Sequence, residues 1–440
     1  MTTATVSTAA ELLDALATAD EIEIDGLISG MPMISLRPGV ILRGGVLRFG
    51  ARGVRLSADN RLEDVTILVP DHEIAVCNDT SVADLGELTL RNVRTRGQVL
   101  LLAENAVRAG RVIVDGLAVA SADVRGRTER QHGFGVDAMQ GAFTLWNRQP
   151  DPAVRLTARL TGLSAGSGDC PVRGSGIVLS GHGNWAGVGE GGVVTADTLR
   201  TGPIYTDGGI EPGTPDLISG GVYVLSGAEV ETVINDGPVT TSGANDMALD
   251  NWGAVGSWTV RAPVSTHGPS GIGFVNFGSL GRLTAEAPLT TYGAGARGFN
   301  VYDGSVASAR FDSIRTCGDG AVGIQVSREL PVLEITDSVI TSGGTGTSLV
   351  LGVQTELSAM AISIKPAGQI GHLSVGGTLS TRGDGVVTLD AEGALGSLQV
   401  GQLVAAEGVG STAIRHTSDI AGLEEVRTAA PLGRDIAQTA

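Results

Sequence analysis

The sequence predicts an all-β fold, a right-handed parallel β-helix in which short strands stack coil upon coil. Three observations carry the prediction: a short pattern that returns every 25 residues, a composition rich in Gly and poor in aromatics, and Gly-bounded strands of alternating polarity.

The pattern is a β-branched or Leu residue, a variable residue, Thr, a variable residue, then Gly. It occupies Val239–Gly243, Val264–Gly268, Leu289–Gly293, Ile314–Gly318 and Val339–Gly343, each copy 25 residues after the last. A sixth copy, Leu379–Gly383, follows after 40 residues, leaving room for an insertion, and Val93–Gly97 carries the pattern into the N-terminal third. Between copies lie stretches such as Ser257–Val260, Leu283–Ala285 and Ala309–Phe311, too short and too β-branched for helices. One period holds about three strands of four to five residues and their turns, which is one coil of a β-helix with strands about 4.8 Å apart. Leucine-rich repeats have a similar period but require Leu at fixed positions and usually a helix, and neither is present.

Stacking assigns the columns. Thr241, Thr266, Thr291, Thr316 and Thr341 are expected to place hydroxyl over hydroxyl, and the Gly two residues on to supply a backbone position with φ > 0. Leu249, Phe274, Phe299, Ile324 and Leu349 read as the inward core, with Asn251 and Asn276 as an asparagine stack beside them.

The organisation follows in chain order. Residues 1–19 read as a capping helix, because Thr8-Ala-Ala-Glu11 is a capping box that opens an amphipathic stretch with Leu12, Leu13 and Leu16 on one face. Glu21–Gly26 and Gly39–Gly44 read as the first strands and Asn60–Ile67 as an early coil. The β-helix is expected over 20–425, with a loop-rich segment at 137–216 where the repeat is weakest, and 426–440 as a C-terminal tail.

Composition narrows the function. With Gly at 66 of 440 residues and no Pro/Gly/Ser linker, the chain reads as one elongated domain. The net charge of −17, with Arg scattered singly, argues against nucleic acid as a partner. Lys365 is the single lysine and receives no role. Cys77, Cys170 and Cys317 are odd in number and without C-x-x-C spacing, so no disulfide framework or zinc site is expected, and a reducing compartment fits. Met1–Ala10 lacks a basic stretch and an apolar core, and no segment approaches a membrane span. A cytoplasmic protein without cofactor, metal or membrane contact is the expectation.

A capping helix, Gly-bounded strands and stacked columns over roughly 20–420 resemble the pectin-lyase-like superfamily of parallel β-helices. That resemblance implies the fold and a carbohydrate substrate, since members include polysaccharide lyases, glycoside hydrolases, sugar epimerases, tail spikes and fructotransferases. Gly181-His182-Gly183 matches a step found in polygalacturonase-type hydrolases. Their paired-Asp and Arg-x-Lys motifs are missing here, as are the calcium and Arg motifs of pectate lyases, so no particular activity follows.

The candidate site comes from the columns that should face away from the core. Trp252, Phe277 and Tyr302 form one, and Asp250, Val275, Asn300 and Gln325 a second, a strip of aromatics flanked by polar groups of the kind that holds sugar rings. Such a strip equally suits burial by a loop or by a neighbouring subunit. The loop-rich segment adds Trp146, Arg148 and His182, and Arg297 joins as a sugar-positioning cation. Asp207, Glu211, Asp246 and Asp250 are the acids from which a catalytic pair about 5 to 10 Å apart could be drawn.

Two functions result. One is a carbohydrate-active enzyme that cleaves or transfers a glycosyl unit of a small oligosaccharide. The other is a non-catalytic binding or assembly protein, a homo-oligomer about a three-fold axis, to which the low charged fraction and positive mean hydropathy also point.

Overall fold

The computed structural model describes residues 2–350 and 352–439, and it is a parallel β-helical solenoid with a single α-helix among the described residues. The chain divides into two compact units, Met1–Gly208 with Val222–Ile234, and Gly209–Gly221 with Asn235–Ala440.

The first unit opens on a strand that the sequence reading missed. Thr3–Val6 pairs in parallel with Glu21–Ile24, and the helix Ala9–Thr18 is the crossover between them. The capping box is formed: Glu11 N–H donates to Thr8 Oγ1, and Thr8 N–H to Glu11 Oε2. The helix seats Leu12 and Ala15, while Leu13, expected on the same face, is 49% exposed. Leu12 and Ala15 lie one turn apart, so the buried stripe is narrower than the three leucines suggested.

From Glu21–Ile24 a parallel ladder climbs through Ile41–Arg43, Arg61–Glu63, Asp84–Arg96, Ala109–Ser121, Arg155–Ala165 and Val193–Asp207. A second runs through Ile34–Ser35, Val54–Leu56, Ile74–Asn78, Gln98–Ala103, Gly141–Asn147 and Ser175–Ser180. Coils here are unequal. Arg43 lies 20 residues after its partner Glu23, whereas Thr161 lies 46 after Asp115. The additional residues leave the ladder as irregular chain over 123–140, carrying the antiparallel hairpin Gln131–Gly133/Val136–Ala138, and as a tight loop from Gly183 to Gly189. Phe143–Asn147, expected among irregular loops, belongs to a ladder strand instead.

The second unit is the regular one. Val239, Val264, Leu289, Ile314 and Val339 are paired in succession, and Leu379 follows Val339 across the longer gap. The threonine two residues on is fully buried in every copy from Thr241 to Thr381. Its hydroxyls do not ladder as expected: Thr316 donates to Ala321 O and Thr341 to Ala359 O.

The repeated glycine works differently from expectation. Gly268, Gly293, Gly318, Gly343, Gly383 and Gly408 are not left-handed; a Cβ at Gly293 would lie 1.9 Å from Gly268 O. Glycine is required for close coil-to-coil approach. The left-handed position falls two residues later, at Asn245, Ser270, Gly295, Gly320, Gly385 and Gly410, with φ between 55° and 69°.

The inward column Leu249, Phe274, Phe299 and Ile324 continues with Ile362, not with Leu349. Leu349 belongs to the antiparallel hairpin Thr345–Val350/Val353–Ser358, the insertion for which the 40-residue gap left room. Rings of Trp258, Phe274, Phe299 and Phe311 pack in sequence at centroid distances of 5.0, 6.0 and 4.9 Å. Beside them Asn251 Nδ2 donates to Asn276 Oδ1 at 2.8 Å, both side chains fully buried. Of the stretch expected as a tail, Arg434–Gln438 is a ladder strand paired with Thr412–His416.

Candidate ligand-binding site

Strand alternation decides what faces away from the core in the second unit. With Leu249 and Asn251 inward, Asp250 turns outward, and register extends its column through Val275, Asn300, Gln325, Ser363, Asp390 and Arg415. Two residues along, Trp252, Phe277 and Tyr302 stand as the sequence placed them. Phe277 and Tyr302 stack at 5.1 Å and 19°, and Trp252 meets Phe277 edge-on at 6.3 Å.

The strip is nevertheless not an exposed platform. Trp252 is 3% exposed, Asp250 and Asn300 are fully buried, and only Phe277 and Tyr302 remain partly accessible. Part of the cover is the inserted hairpin: Ser348 donates to Gly295 O at 2.8 Å, and Leu349 N–H to Ser270 Oγ at 3.1 Å. Arg297 lies beneath it, sending Nη1 to Ser348 Oγ at 3.2 Å and Nε to Gln325 Oε1 at 3.4 Å.

The electrostatics of this strip are unusual for a closed face. Burial holds the Asp250 carboxyl well above the usual carboxylate range, against the pull of the Trp252 indole N–H, which donates to Asp250 Oδ2 at 3.0 Å. Asp250 Oδ1 has no hydrogen-bond partner, and neither does Nδ2 or Oδ1 of Asn300. Burial also pushes the Arg297 guanidinium down, and no carboxylate pairs with it among the described residues. Tyr302 is raised by burial, with Arg297 acting against that shift. Farther along the column Ser363 Oγ is also buried without a partner, whereas Asp390 takes both ends of Arg415 at 2.7 and 2.6 Å. On this outward face Asp250 and Asn300 leave three side-chain atoms open and stand two coils or about 9.6 Å apart, with Val275 as an apolar floor between them.

The other candidate acids are occupied elsewhere. Asp246 is fully buried and ties its own turn, accepting from Gly243 N–H at 2.7 Å and from the Ser219 hydroxyl. Four residues along one strand place it about 13 Å from Asp250, beyond the spacing of a catalytic pair. Glu211 is exposed, and its carbonyl closes a turn with Thr214. Asp207 belongs to the first unit, where it pairs with Arg173.

Trp146, Arg148 and His182 also belong to the first unit. Trp146 donates its indole N–H to Gly181 O at 3.1 Å, Arg148 lies 4.9 Å above its ring, and Glu104 and Glu129 hold the guanidinium at 2.7 and 2.6 Å. His182 starts the Gly183–Gly189 loop with its Nδ1 buried and unpartnered. Sequence reasoning pointed to the loop tryptophan Trp185 but missed His132, which stacks on it at 4.3 Å and pairs with Asp137. It placed Gln325 in the outward column by the 25-residue register but missed Ser348, whose place depends on a hairpin outside the period.

A cavity of about 540 Å³ lies on the other sheet, between Arg310, Glu334, Gln399 and Glu425. Those side chains are exposed, and none presents a buried unsatisfied atom, so it lacks preorganised chemistry. Among the described residues no three His, Cys, Asp or Glu side chains gather as metal ligands, and no helix is long and apolar enough to cross a membrane. Comparison with protein-family models, with curated proteins and with solved structures finds no match to this chain.

Proposed function

We propose that the second unit binds a small carbohydrate over Val275, between Asp250 and Asn300, and that Asp250 is the group able to transfer a proton to it. The observation that carries this reading is the unpartnered buried atoms of Asp250 and Asn300 beside an unneutralised Arg297. Buried polar groups are almost always satisfied, and an outward-facing set left open is matched by a ligand rich in hydroxyls. The ring faces of Phe277 and Tyr302 suit the apolar C–H face of a sugar.

In this arrangement Asn300 donates to and accepts from ring hydroxyls, and Arg297 positions an oxygen through its free N–H groups. Asp250, kept neutral by burial, donates to the glycosidic or hydroxyl oxygen nearest it. One protonated acid, rather than the expected pair of carboxylates, is then the chemistry-bearing group.

The test is a titration with neutral di- and trisaccharides followed by tryptophan fluorescence. A saturable change in the wild type that Asn300→Leu abolishes supports the reading. Silence across the panel, or an undiminished response in Asn300→Leu, overturns it and favours the assembly function.

A further inference from the structure

The first unit carries a different set of unneutralised cations. Two adjoining cavities of about 280 Å³ each lie on the outward face of the ladder Val54–Leu56, Ile74–Asn78 and Gln98–Ala103, and share a wall of Ile74, Leu100 and Leu102. Arg55 lines one, Arg127 the other, and Arg52 both.

None of the three is within ion-pair distance of a carboxylate among the described residues. Arg55 directs Nε to Ser35 Oγ at 2.9 Å, leaving both terminal nitrogens unengaged. Arg127 is held by Gln98 Oε1 and His72 O, each at 2.9 Å. Gln98 is itself fully buried and donates to Gln140, so a fixed amide relay aims the Arg127 guanidinium. Arg52 makes no hydrogen bond with the described residues.

The acids facing these cavities do not neutralise them. Glu104 and Glu129 are taken by Arg148, and Asp79 accepts from the N–H and hydroxyl of Ser81 and attracts Arg55 only from beyond ion-pair distance. Glu73 faces Arg127 without pairing and lies 3.9 Å from His72 Nε2. Burial lowers Arg127, and Arg52 adds a like-charge push in the same direction. Arg52 and Arg55 together work against the burial that raises Cys77. Three guanidinium groups without an ion-pair partner thus face the two cavities, an arrangement that attracts an anion even in a chain of net charge −17.

We propose that Arg52, Arg55 and Arg127 form a binding site for a small oxyanion-bearing metabolite, phosphorylated or polycarboxylate, lodged against the Ile74–Leu100–Leu102 wall. Guanidinium groups meet such oxyanions in planar, bidentate fashion, and the apolar wall accepts the carbon skeleton. The site is independent of the sugar reading, since it draws on other residues and another charge type.

The experiment is calorimetric titration of the full chain with inorganic phosphate and, separately, citrate, at matched ionic strength. Saturable binding of either, weakened about tenfold or more by Arg52→Gln and Arg127→Gln but not by Arg159→Gln on the other sheet, is the expected result. Phosphate alone assigns a phosphoryl ligand and citrate alone a polycarboxylate. Absence of saturation with both, or equal weakening in Arg159→Gln, overturns the proposal. Arg52→Gln keeps the test valid if Arg127→Gln fails to fold, because Arg52 supports no other residue.

Discussion

Replacing Arg297 with Met should make the protein more stable while removing ligand binding, an outcome that a structural arginine would not give. The side chain is 2% exposed and holds only two long contacts, 3.2 Å to Ser348 and 3.4 Å to Gln325. At those lengths each contributes at most about 1 kcal/mol. Against them stands the effective penalty of burying an unpaired guanidinium, several kcal/mol even after relaxation, and substitution of buried ionic groups by apolar ones of similar volume commonly gains about 1–4 kcal/mol. Ser348 keeps its bond to Gly295 O, so Met leaves mainly Gln325 Oε1 unsatisfied. The balance is a gain of roughly 1–3 kcal/mol, or about 2–4 °C in Tm for each kcal/mol in a unit of this size. Urea unfolding read by the buried Trp252 and Trp258, with the m-value checked for constancy, measures it. A loss of stability above about 1 kcal/mol would show that Arg297 is a strut, and the ligand reading would fall with it.

Three further perturbations check other parts of the argument. Asp250→Asn bears on linkage: because burial raises Asp250 above its ordinary 3.8, the wild type should lose stability as pH rises from there towards the folded-state value, and the variant should not; Tm measured from mildly acid to neutral pH separates the two. Asn276→Val should lower stability by about 1–3 kcal/mol by stranding Asn251, and Asn251→Val with Asn276→Val should recover much of it, since the column already continues with Val301 and Val326; denaturation of the single and double variants decides. Gly293→Ala should destabilise well beyond Gly385→Ala, whose Cβ meets open space and whose left-handed backbone accounts for only about 1–2 kcal/mol; equal effects in thermal unfolding would refute the close-approach explanation.

The regular part of the fold was legible because a solenoid writes its geometry into the sequence. Thr241 to Thr341 and Leu249 to Ile324 are the same structural position read repeatedly, so register can be counted from residue spacing alone. The period could not tell the two reasons for glycine apart. A left-handed residue and a residue with a carbonyl pressed against it both exclude side chains, and Asn245 and Ser270 hide the true left-handed column among non-glycines. The first strand was missed because Thr3–Val6 is a single short run before a strong helix signal. Exposure was misjudged for a related reason. Alternation gives the direction of Trp252 and Asp250 correctly, but what covers them lies in chain outside the repeat, as with Ser348 over Arg297. Pairing of Asp246 with the Gly243 N–H likewise depends on a turn that composition does not specify.

A repeat also exposes the residues that structure alone would not have chosen. Arg297 sits in register between Ile272 and Val322, and Asp250 in register with Val275, so at each level the neighbouring coils state which residue packs well there. A solenoid needing only stability would place Ile or Val at both, which stack without a desolvated charge. The two departures occur within three coils of each other, on the same outward face, with Arg297 on the strand of Asn300, whose amide is left open. Independent drift would scatter such departures over the ladder and would pair them, as Asp390 is paired with Arg415. Two ionisable groups without a charge partner on one face are what distinguishes a site from a defect. Converting both positions to their column neighbours, Asp250→Val with Arg297→Ile, should give a folded and more stable chain that no longer responds to saccharide. Retention of the response in that variant would mean that the face between Asp250 and Asn300 has no part in binding.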